Sequence, residues 1–341
     1  MKTGYVYDPI FLKHNLIGHP ENAERLHVIQ QSLKKANVWS EMHHVPSRKA
    51  TEDELAYVHT KNHIKYIKDI NTHYGGYVDA DTYVNEHSFE AACVAAGSVI
   101  DLALATIQGN ISNGFAFVRP PGHHATRSRA MGFCLFSNVA VAAKAAQKQA
   151  GLERVAIVDF DAHHGNGTQD IVITDSSVFF CSSHQYPFYP GTGHGSEIGQ
   201  CEAKGTTMNF PLSALAGDEW MKRLYIEILT PALHRYKPEL ILVSAGYDAH
   251  WNDPLTNLGF SLTLFGWLSQ TLIKLAQELC QGRIIFVLEG GYHPQAIGQG
   301  ITNTVKALLG RDDFDDSLGS STWQEPDMGS YIDDLKKLHA L

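Results

Sequence analysis

Apolar positions recur with a helical period and then in short continuous runs, and these two patterns alternate from about residue 89 to residue 309. Each predicted helix is followed by a short β-branched or leucine-rich strand. Three such pairs are predicted, at residues 138–150 and 155–158, 218–235 and 240–244, and 262–281 and 284–288. Continuous apolar strands between helices predict an α/β fold whose central, mostly parallel sheet is flanked by helices on both faces.

The two ends of the chain are predicted to add outer elements to the same domain. An amphipathic helix is predicted to run to Ala36, and Thr51 followed by Glu54 matches a helix capping box. Beyond residue 310 the sequence becomes acidic, so residues 311–341 are predicted to form a peripheral C-terminal tail. The pattern contains no Pro- or Ser-rich linker, and we therefore expect residues 1–341 to form a single domain.

Composition and charge exclude several classes of protein. The net charge of -9, with no cluster of Lys and Arg, argues against a nucleic-acid partner. The five cysteines lack C-x-x-C spacing, which argues against a disulfide framework and favours a reducing cytoplasm. The first eleven residues lack the features of a signal peptide, and residues 89–107 contain Glu90 and Asp101, so we expect no membrane partner.

Polar residues of catalytic types follow four of the predicted strands. In an open α/β sheet, ligands bind outside the carboxyl ends of the strands, where the connecting loops converge. The segments that follow the strands at 115–118, 155–158, 240–243 and 284–288 are Arg119-Pro-Pro-Gly-His-His124, Asp159-Phe-Asp-Ala-His-His-Gly-Asn-Gly167, Ser244-Ala-Gly-Tyr-Asp248 and Glu289-Gly-Gly-Tyr292. We expect these four segments to form one site.

Asp161 and His163 have the spacing of a metal-binding pair, because residues two apart on an extended backbone project to the same side. Asp248, the acid at the end of another predicted strand, is the candidate third ligand, although an Asp in this position also occurs as a helix cap. Two carboxylates, one imidazole and an open position suit catalytic zinc, and they also tolerate ferrous iron or cobalt. Such an ion would polarise an amide carbonyl and acidify a water molecule.

The remaining polar residues supply proton transfer and oxyanion stabilisation. His123 and His124 follow a Pro-Pro-Gly turn and are candidates for proton transfer, with Asp159 and Asn166 as their partners. Tyr292 follows two glycines and can donate its phenol proton to an oxyanion, the alternative being a packing aromatic. A His-His pair by itself indicates little: His43-His44 follows no apolar strand, and we assign it no function.

These motifs resemble the histone deacetylase superfamily, which includes acetylpolyamine amidohydrolases and bacterial deacetylase-like amidohydrolases. Two further motifs carry the resemblance, Gly132-Phe-Cys-Leu-Phe-Ser-Asn138 and Tyr189-Pro-Gly-Thr-Gly193. The resemblance implies an arginase/deacetylase-like fold, zinc at Asp161, His163 and Asp248, His124 as general base and acid, His123 as its electrostatic partner and Tyr292 as the oxyanion donor. It also implies a structural potassium ion near Asp159, Asp161, His163, Ser182 and Ser183.

The resemblance also implies a narrow tunnel for an acylated aminoalkyl chain. Phe133 and Tyr189 match positions that line this tunnel, and Gly132 is expected to leave room for the chain. Tyr189 stands where Phe is common in the family. Asn166 stands where class I enzymes have an Asp, which makes the sequence similar to class II enzymes and their bacterial relatives.

The substrate expected from these features is an N-acylated amine. Leu255 is apolar where the eukaryotic polyamine deacetylase has a gatekeeping Glu, which favours acyl-lysine over long polyamines. The acidic residues Asp79, Asp81 and Glu86 would attract a cation if they lay at the tunnel rim, the alternative being a solvated loop.

We therefore predict a zinc-dependent deacetylase, with an acetylpolyamine deacetylase as the alternative. A binuclear manganese ureohydrolase is disfavoured because Gly165 replaces the Asp it needs. A non-catalytic binding protein is also disfavoured because no ligand or catalytic residue is missing. A homo-oligomer is compatible with the sequence.

Overall fold

The strands of this protein form one large sheet and one small one. The computed structural model describes residues 2–73 and 75–341. The strands within these residues are β1 (Thr3–Val6), β2 (His43–His44), β3 (Gly76–Tyr77), β4 (Tyr83–Val84), β5 (Asn113–Ala116), β6 (Val155–Asp159), β7 (Val178–Gln185), β8 (Thr207–Leu212), β9 (Leu240–Ala245) and β10 (Ile284–Leu288). β3 and β4 pair antiparallel, and the other eight form a parallel sheet.

Helices connect most of these strands. The α-helices are α1 (Glu24–Lys35), α2 (Glu52–Leu55), α3 (Lys61–His73), α4 (Ser88–Ile107), α5 (Asn138–Ala150), α6 (Asn166–Val172), α7 (Asp218–Leu224), α8 (Thr230–Tyr236), α9 (Leu262–Cys280), α10 (Pro294–Leu308) and α11 (Tyr331–His339). A π-helical turn, Tyr225–Leu229, joins α7 to α8. Helices α4 and α5 pack together on the sheet, while α1, α10 and α9 pack side by side as a second layer.

The order of strands in the large sheet determines where a ligand can bind. That order is β2-β1-β5-β10-β9-β6-β7-β8. From β6 the chain continues outward through β7 and β8, and it then returns to place β9 on the other side of β6. The crossover direction reverses between β6 and β9, and their carboxyl ends flank the crevice where ligands bind in such sheets.

Most predicted elements occur, with shifts at their ends. The capping box is confirmed, because the Thr51 side chain accepts from the Glu54 N–H and the Glu54 carboxylate accepts from the Thr51 N–H. The strand predicted at 115–118 lies at Asn113–Ala116, and the N-cap of α5 is Ser137 rather than Asn138. The helix predicted over 218–235 occurs without a break, as α7, the π-helical turn and α8, but its hydrogen-bond pattern shifts before Pro231, which has no N–H to donate.

Helix α4 corrects one expectation about apolar segments. By length and composition Ser88–Ile107 is a candidate for crossing a membrane, whereas we expected Glu90 and Asp101 to exclude it. Within the protein, 72% of the apolar stretch of this helix is buried, and α4 packs against α5 and the strands β1, β5 and β10. Its apolar surface is therefore used in the core.

The segment after residue 310 runs back over the ends of other helices. The Glu325 carboxylate accepts from the backbone N–H groups of Gly217 and Glu219 at the start of α7. Ile332 and Leu335 of α11 are buried, and α11 packs on the π-helical turn. The predicted boundary of the tail at residue 311 stays a prediction.

Candidate active site

Three side chains that could bind a metal meet at the ends of the neighbouring strands β6 and β9. Asp161 and His163 follow β6, and Asp248 follows β9. His163 Nδ1 lies 3.0 Å from Asp248 Oδ2 and 3.2 Å from Asp161 Oδ1. One potential ligand atom from each residue lies within 4.8 Å of the other two, which is the spacing needed to hold one ion.

Backbone groups hold the two carboxylates in place. The Ala162 N–H donates to Asp248 Oδ1 at 2.9 Å, and the Gly290 N–H donates to Asp161 Oδ2 at 2.8 Å. A Cβ on Gly290 would lie 2.4 Å from Asp248 Oδ2 and 2.5 Å from Asp161 Oδ2. A side chain at this position would fill the cradle, so glycine fits a site built to hold a cation between the carboxylates.

The charges of these residues also fit a cation. Burial acts to lower the pKa of His163, but its hydrogen bonds to Asp161 and Asp248 outweigh burial and raise the pKa to about 10. Burial raises the pKa of Asp248, and the nearby Asp161 adds to that effect. Two buried carboxylates side by side require a positive partner. A protonated His163 or a divalent ion would meet this need.

The adjacent histidines His123 and His124 have opposite electrostatic surroundings. His123 Nδ1 lies 3.0 Å from Asp159 Oδ2, and although burial acts to lower its pKa, Asp161 and Asp159 raise it to about 10. His124 Nδ1 lies 2.7 Å from the neutral Asn166 Oδ1. Burial and the charge on His123 hold the pKa of His124 well below 6.5. One imidazole is therefore charged at neutral pH and the other is neutral.

Tyr292 lies on the loop after β10 and lines the same cavity. Burial raises the pKa of its phenol well above 10, so the group keeps its proton and can donate it in a hydrogen bond. The Arg25 guanidinium lies 5.1 Å from the centroid of the Tyr292 ring and donates to the carbonyls of Glu289 and Gly291. Arg25, which the sequence did not indicate, thus fixes the backbone before Tyr292.

Gly132 contributes to the site in a different way from the one expected. It lines the cavity, but an added Cβ would lie only 2.3 Å from His124 Cδ2. Its φ of +55° also favours glycine. The room left by Gly132 is taken by the imidazole of His124, and the wall of the cavity is formed by the next residue, Phe133, which itself has a φ of +69°.

A cavity of about 490 Å³ leads to these groups. Its lining residues are His19, Pro20, Tyr77, Ala80, Asp81, His124, Gly132, Phe133, His163, Phe188, Tyr189, Leu255 and Tyr292. The predicted Phe133, Tyr189 and Leu255 are all among them. Of the acidic segment, Asp81 lines the cavity, whereas Asp79 lies 3.7 Å from the Arg129 guanidinium and Glu86 is not a lining residue. Of these three acidic residues, Asp81 is therefore the one that lines the cavity.

The residues proposed for potassium lie around the end of β6 and the adjacent middle part of β7. Asp159 and Ser182 are paired in the sheet, and the Ser183 hydroxyl lies 3.3 Å from the Asp159 carbonyl oxygen. The Ser182 hydroxyl lies 2.9 Å from His184 Nδ1. The potassium ion stays a prediction.

Several buried charges that support the site were not identified from the sequence. Glu289 accepts from the N–H groups of Gly122 and His123 and from the Ser244 hydroxyl. Arg119 and Glu21, both fully buried, form an ion pair. Glu289 and Arg119 lie in the motifs that follow the predicted strands. A charged residue directly after an apolar strand could therefore have indicated both. Glu21 and Arg25 had no comparable signal.

Comparisons with known proteins identify the family. The model of the histone deacetylase domain matches residues 19–308. This chain belongs to the histone deacetylase family. It is 38% identical to "Histone deacetylase 10, chloroplastic" of Oryza sativa subsp. japonica, over 96% of this chain and 79% of that protein. It is 36% identical to a "Probable deacetylase" of Archaeoglobus fulgidus, over 100% of this chain and 98% of that protein.

The fold prediction is confirmed by a solved structure of the family. The crystal structure of the HDA15 HD domain superposes with a TM-score of 0.91 at 36% identity, over 99% of this chain and 94% of that one. The central parallel sheet predicted from the sequence pattern and the deacetylase fold implied by the resemblance are therefore confirmed. The roles of individual site residues in this chain remain predictions.

Proposed function

We propose that this protein is a zinc-dependent amidohydrolase that removes an acetyl or other acyl group from acyl-lysine or a related N-acylated aminoalkyl substrate. One observation carries the proposal. A carboxylate–imidazole cluster, a neutral imidazole and a protonated phenol converge at one narrow cavity. Amide hydrolysis needs these three elements: a centre that activates water and carbonyl, a base, and an oxyanion donor.

Zinc is the ion we propose for Asp161, His163 and Asp248. Three protein ligands with two carboxylates leave a position open for water and substrate. When bound, zinc would polarise the amide carbonyl and lower the pKa of a water molecule. We also propose a structural potassium ion near Asp159, Asp161, His163, Ser182 and Ser183, because carboxylate, hydroxyl and carbonyl oxygens are grouped there.

The protein's own residues would move the protons. Asn166 Oδ1 can only accept, so His124 carries its proton on Nδ1 and leaves the Nε2 lone pair free. His124 Nε2 takes a proton from the attacking water and later gives it to the leaving amine. His123, kept charged by Asp159 and Asp161, stabilises the developing negative charge, and the Tyr292 hydroxyl donates to the oxyanion.

The cavity wall supports an acyl-lysine substrate. Phe133, Phe188 and Leu255 give the cavity apolar sides that suit a methylene chain. An acetylpolyamine remains the second candidate, because the Asp81 carboxylate lines the same cavity and would attract a second amine. We do not propose a binuclear manganese site, since Gly165 stands where the further Asp is needed and Asp159 already contacts His123.

The test is a metal analysis combined with a hydrolysis panel. Zinc-loaded protein is given acetyl-lysine peptides, longer acyl-lysines, acetylputrescine and acetylspermidine, and His124→Ala protein is the control. We expect turnover of at least one substrate by the native protein and a large loss in the variant. The enzyme proposal fails if neither protein cleaves any substrate above background.

Location and association are further proposals. We propose a cytoplasmic protein that acts on a small or side-chain amide, with no nucleic-acid or membrane partner, and that is free to form a homo-oligomer. Relatives from rice and from Arabidopsis thaliana carry the word chloroplastic in their names, so relatives do not support one compartment. Fractionation of the native host cells would test the location.

A further inference from the structure

A buried carboxylate beside the site joins two loops that the proposed reaction needs. Asp253 lies five positions after Asp248 in the chain and is 6% exposed. Its Oδ1 accepts from the Leu255 N–H at 3.0 Å. Its Oδ2 accepts from the Tyr292 N–H at 2.8 Å and from the His293 N–H at 3.1 Å. One side chain thus holds the backbone of the cavity wall and that of the oxyanion donor.

We propose that Asp253 is a positioning residue that sets the Tyr292 phenol against the reacting carbonyl and couples it to the cavity wall at Leu255. The inference rests on the proposed function, because it concerns the same reaction.

The sequence before Tyr292 shows why such an anchor is needed. Gly290 must be glycine to leave room for the two carboxylates, and Gly291 has a φ of +119° that other residues rarely adopt. Two consecutive glycines leave the following backbone free to move. Arg25 holds this loop through the carbonyls of Glu289 and Gly291, and Asp253 holds it through the N–H groups that follow.

The two anchors are not equivalent. Arg25 donates hydrogen bonds to carbonyls upstream of Tyr292 and to Glu21, and its guanidinium lies over the Tyr292 ring, but it does not reach the Leu255 loop in the part of the chain that the structure describes. Asp253 bonds to the Tyr292 N–H itself and, through its other oxygen, to the loop that carries Leu255. A substrate chain that displaces the wall at Leu255 would therefore also displace the oxyanion donor. Acyl chains that fit the wall would keep Tyr292 in place.

A carboxylate is required because both of its oxygens accept. In Asp253→Asn, the amide oxygen can serve either Leu255 or the Tyr292–His293 pair, and the NH2 group then faces N–H donors on the other side. Asp253→Ala removes both connections. The two variants therefore form a graded series in the anchoring of these loops.

The kinetic test uses the zinc-loaded full-length protein. For a displaced oxyanion donor we expect kcat to fall about tenfold in Asp253→Asn and further in Asp253→Ala, with KM within about twofold of the native value. In a Tyr292→Phe background, Asp253→Asn should lower kcat by no more than about twofold, because the donor is already absent. Glu325→Gln is the matched control: Glu325 also accepts from backbone N–H groups, but at α7, and its kcat should be unchanged.

Hydrogen exchange gives a measurement that does not depend on turnover. Amides in the peptide that contains Tyr292 and His293 should exchange at least about tenfold faster in Asp253→Ala, and those at α7 should not. The proposal is overturned if hydrogen exchange at Tyr292 and His293 is unchanged in Asp253→Ala. It is also overturned if exchange is faster but kcat stays at the native value, or if only KM changes. If the native protein cleaves nothing, the proposed function fails and the positioning role fails with it, while exchange still shows whether the anchor exists.

Discussion

The partner of His124 should determine the acidic limb of the pH-rate profile. Asn166→Asp places a carboxylate in the contact that now joins His124 Nδ1 to Asn166 Oδ1 at 2.7 Å. A unit charge centred about 4 Å from the imidazolium contributes about 4 kcal/mol at an effective dielectric constant of about 20. Desolvation of the new carboxylate cancels part of this, so we expect the pKa of His124 to rise by about 1–3 units.

The direction in which the acidic limb of the pH-rate profile moves follows from the role proposed for His124. As a base it must be neutral, and its pKa is now held well below 6.5 by burial and by the charge on His123. Activity should therefore persist into mildly acidic solution in the native protein. Raising the pKa moves the acidic limb of log kcat/KM to higher pH by the same number of units, and the rate on that limb falls about tenfold per unit.

The assay measures kcat/KM for an acetyl-lysine peptide between about pH 4.5 and 9. Folded enzymes are generally stable over this range. Asp170→Asn is the control, because it changes one unit of charge on the same helix α6 at an exposed position and should leave the limb within about 0.3 units. An Asn166→Asp profile that coincides with the native one on both limbs would refute the role assigned to this contact.

Three further substitutions, one of them with a matched control, test other parts of the structure. Asp248→Asn should lower bound zinc to below about a tenth of an ion per chain by elemental analysis, with an unchanged far-ultraviolet circular dichroism spectrum, whereas retention of one zinc would exclude Asp248 as a ligand. Gly132→Ala should reduce kcat at least about tenfold, because its Cβ would lie 2.3 Å from His124 Cδ2. Gly109→Ala, at a φ of +76° with no described atom within 4 Å of the added Cβ, should lose only stability, and equal activities would contradict the steric argument. Burial alone would raise the pKa of Glu54, but Arg48 and Thr51 lower it from 4.5 to about 2, so its stabilising effect is complete above pH 4.5 and is lost as the pH falls toward 2. The melting temperatures of the native protein and Glu54→Gln should accordingly differ most at neutral pH and converge in acid, and a difference independent of pH would argue against an ionic role for Glu54.

The sequence by itself determined the local elements and the residue types at the strand ends. Helical and strand periods depend on neighbours within a few positions, which is why the strand Ile284–Leu288 was predicted with its observed bounds. The same locality allowed Asp161 and His163 to be paired by their spacing. The local pattern also predicted the helical segment over 218–235, but it did not reveal the π-helical turn that precedes Pro231.

Only the tertiary structure decided which distant residues meet. The sequence named Asp248 as a candidate ligand, but its position beside His163 depends on β9 pairing with β6, a contact across more than eighty residues that no local pattern encodes. The burial of Glu21 against Arg119, the place of Asp81 in the cavity and the link from Asp253 to Tyr292 have the same origin. Each joins segments far apart in the chain, and such contacts are selected by the packing of the whole domain rather than by the residues beside them.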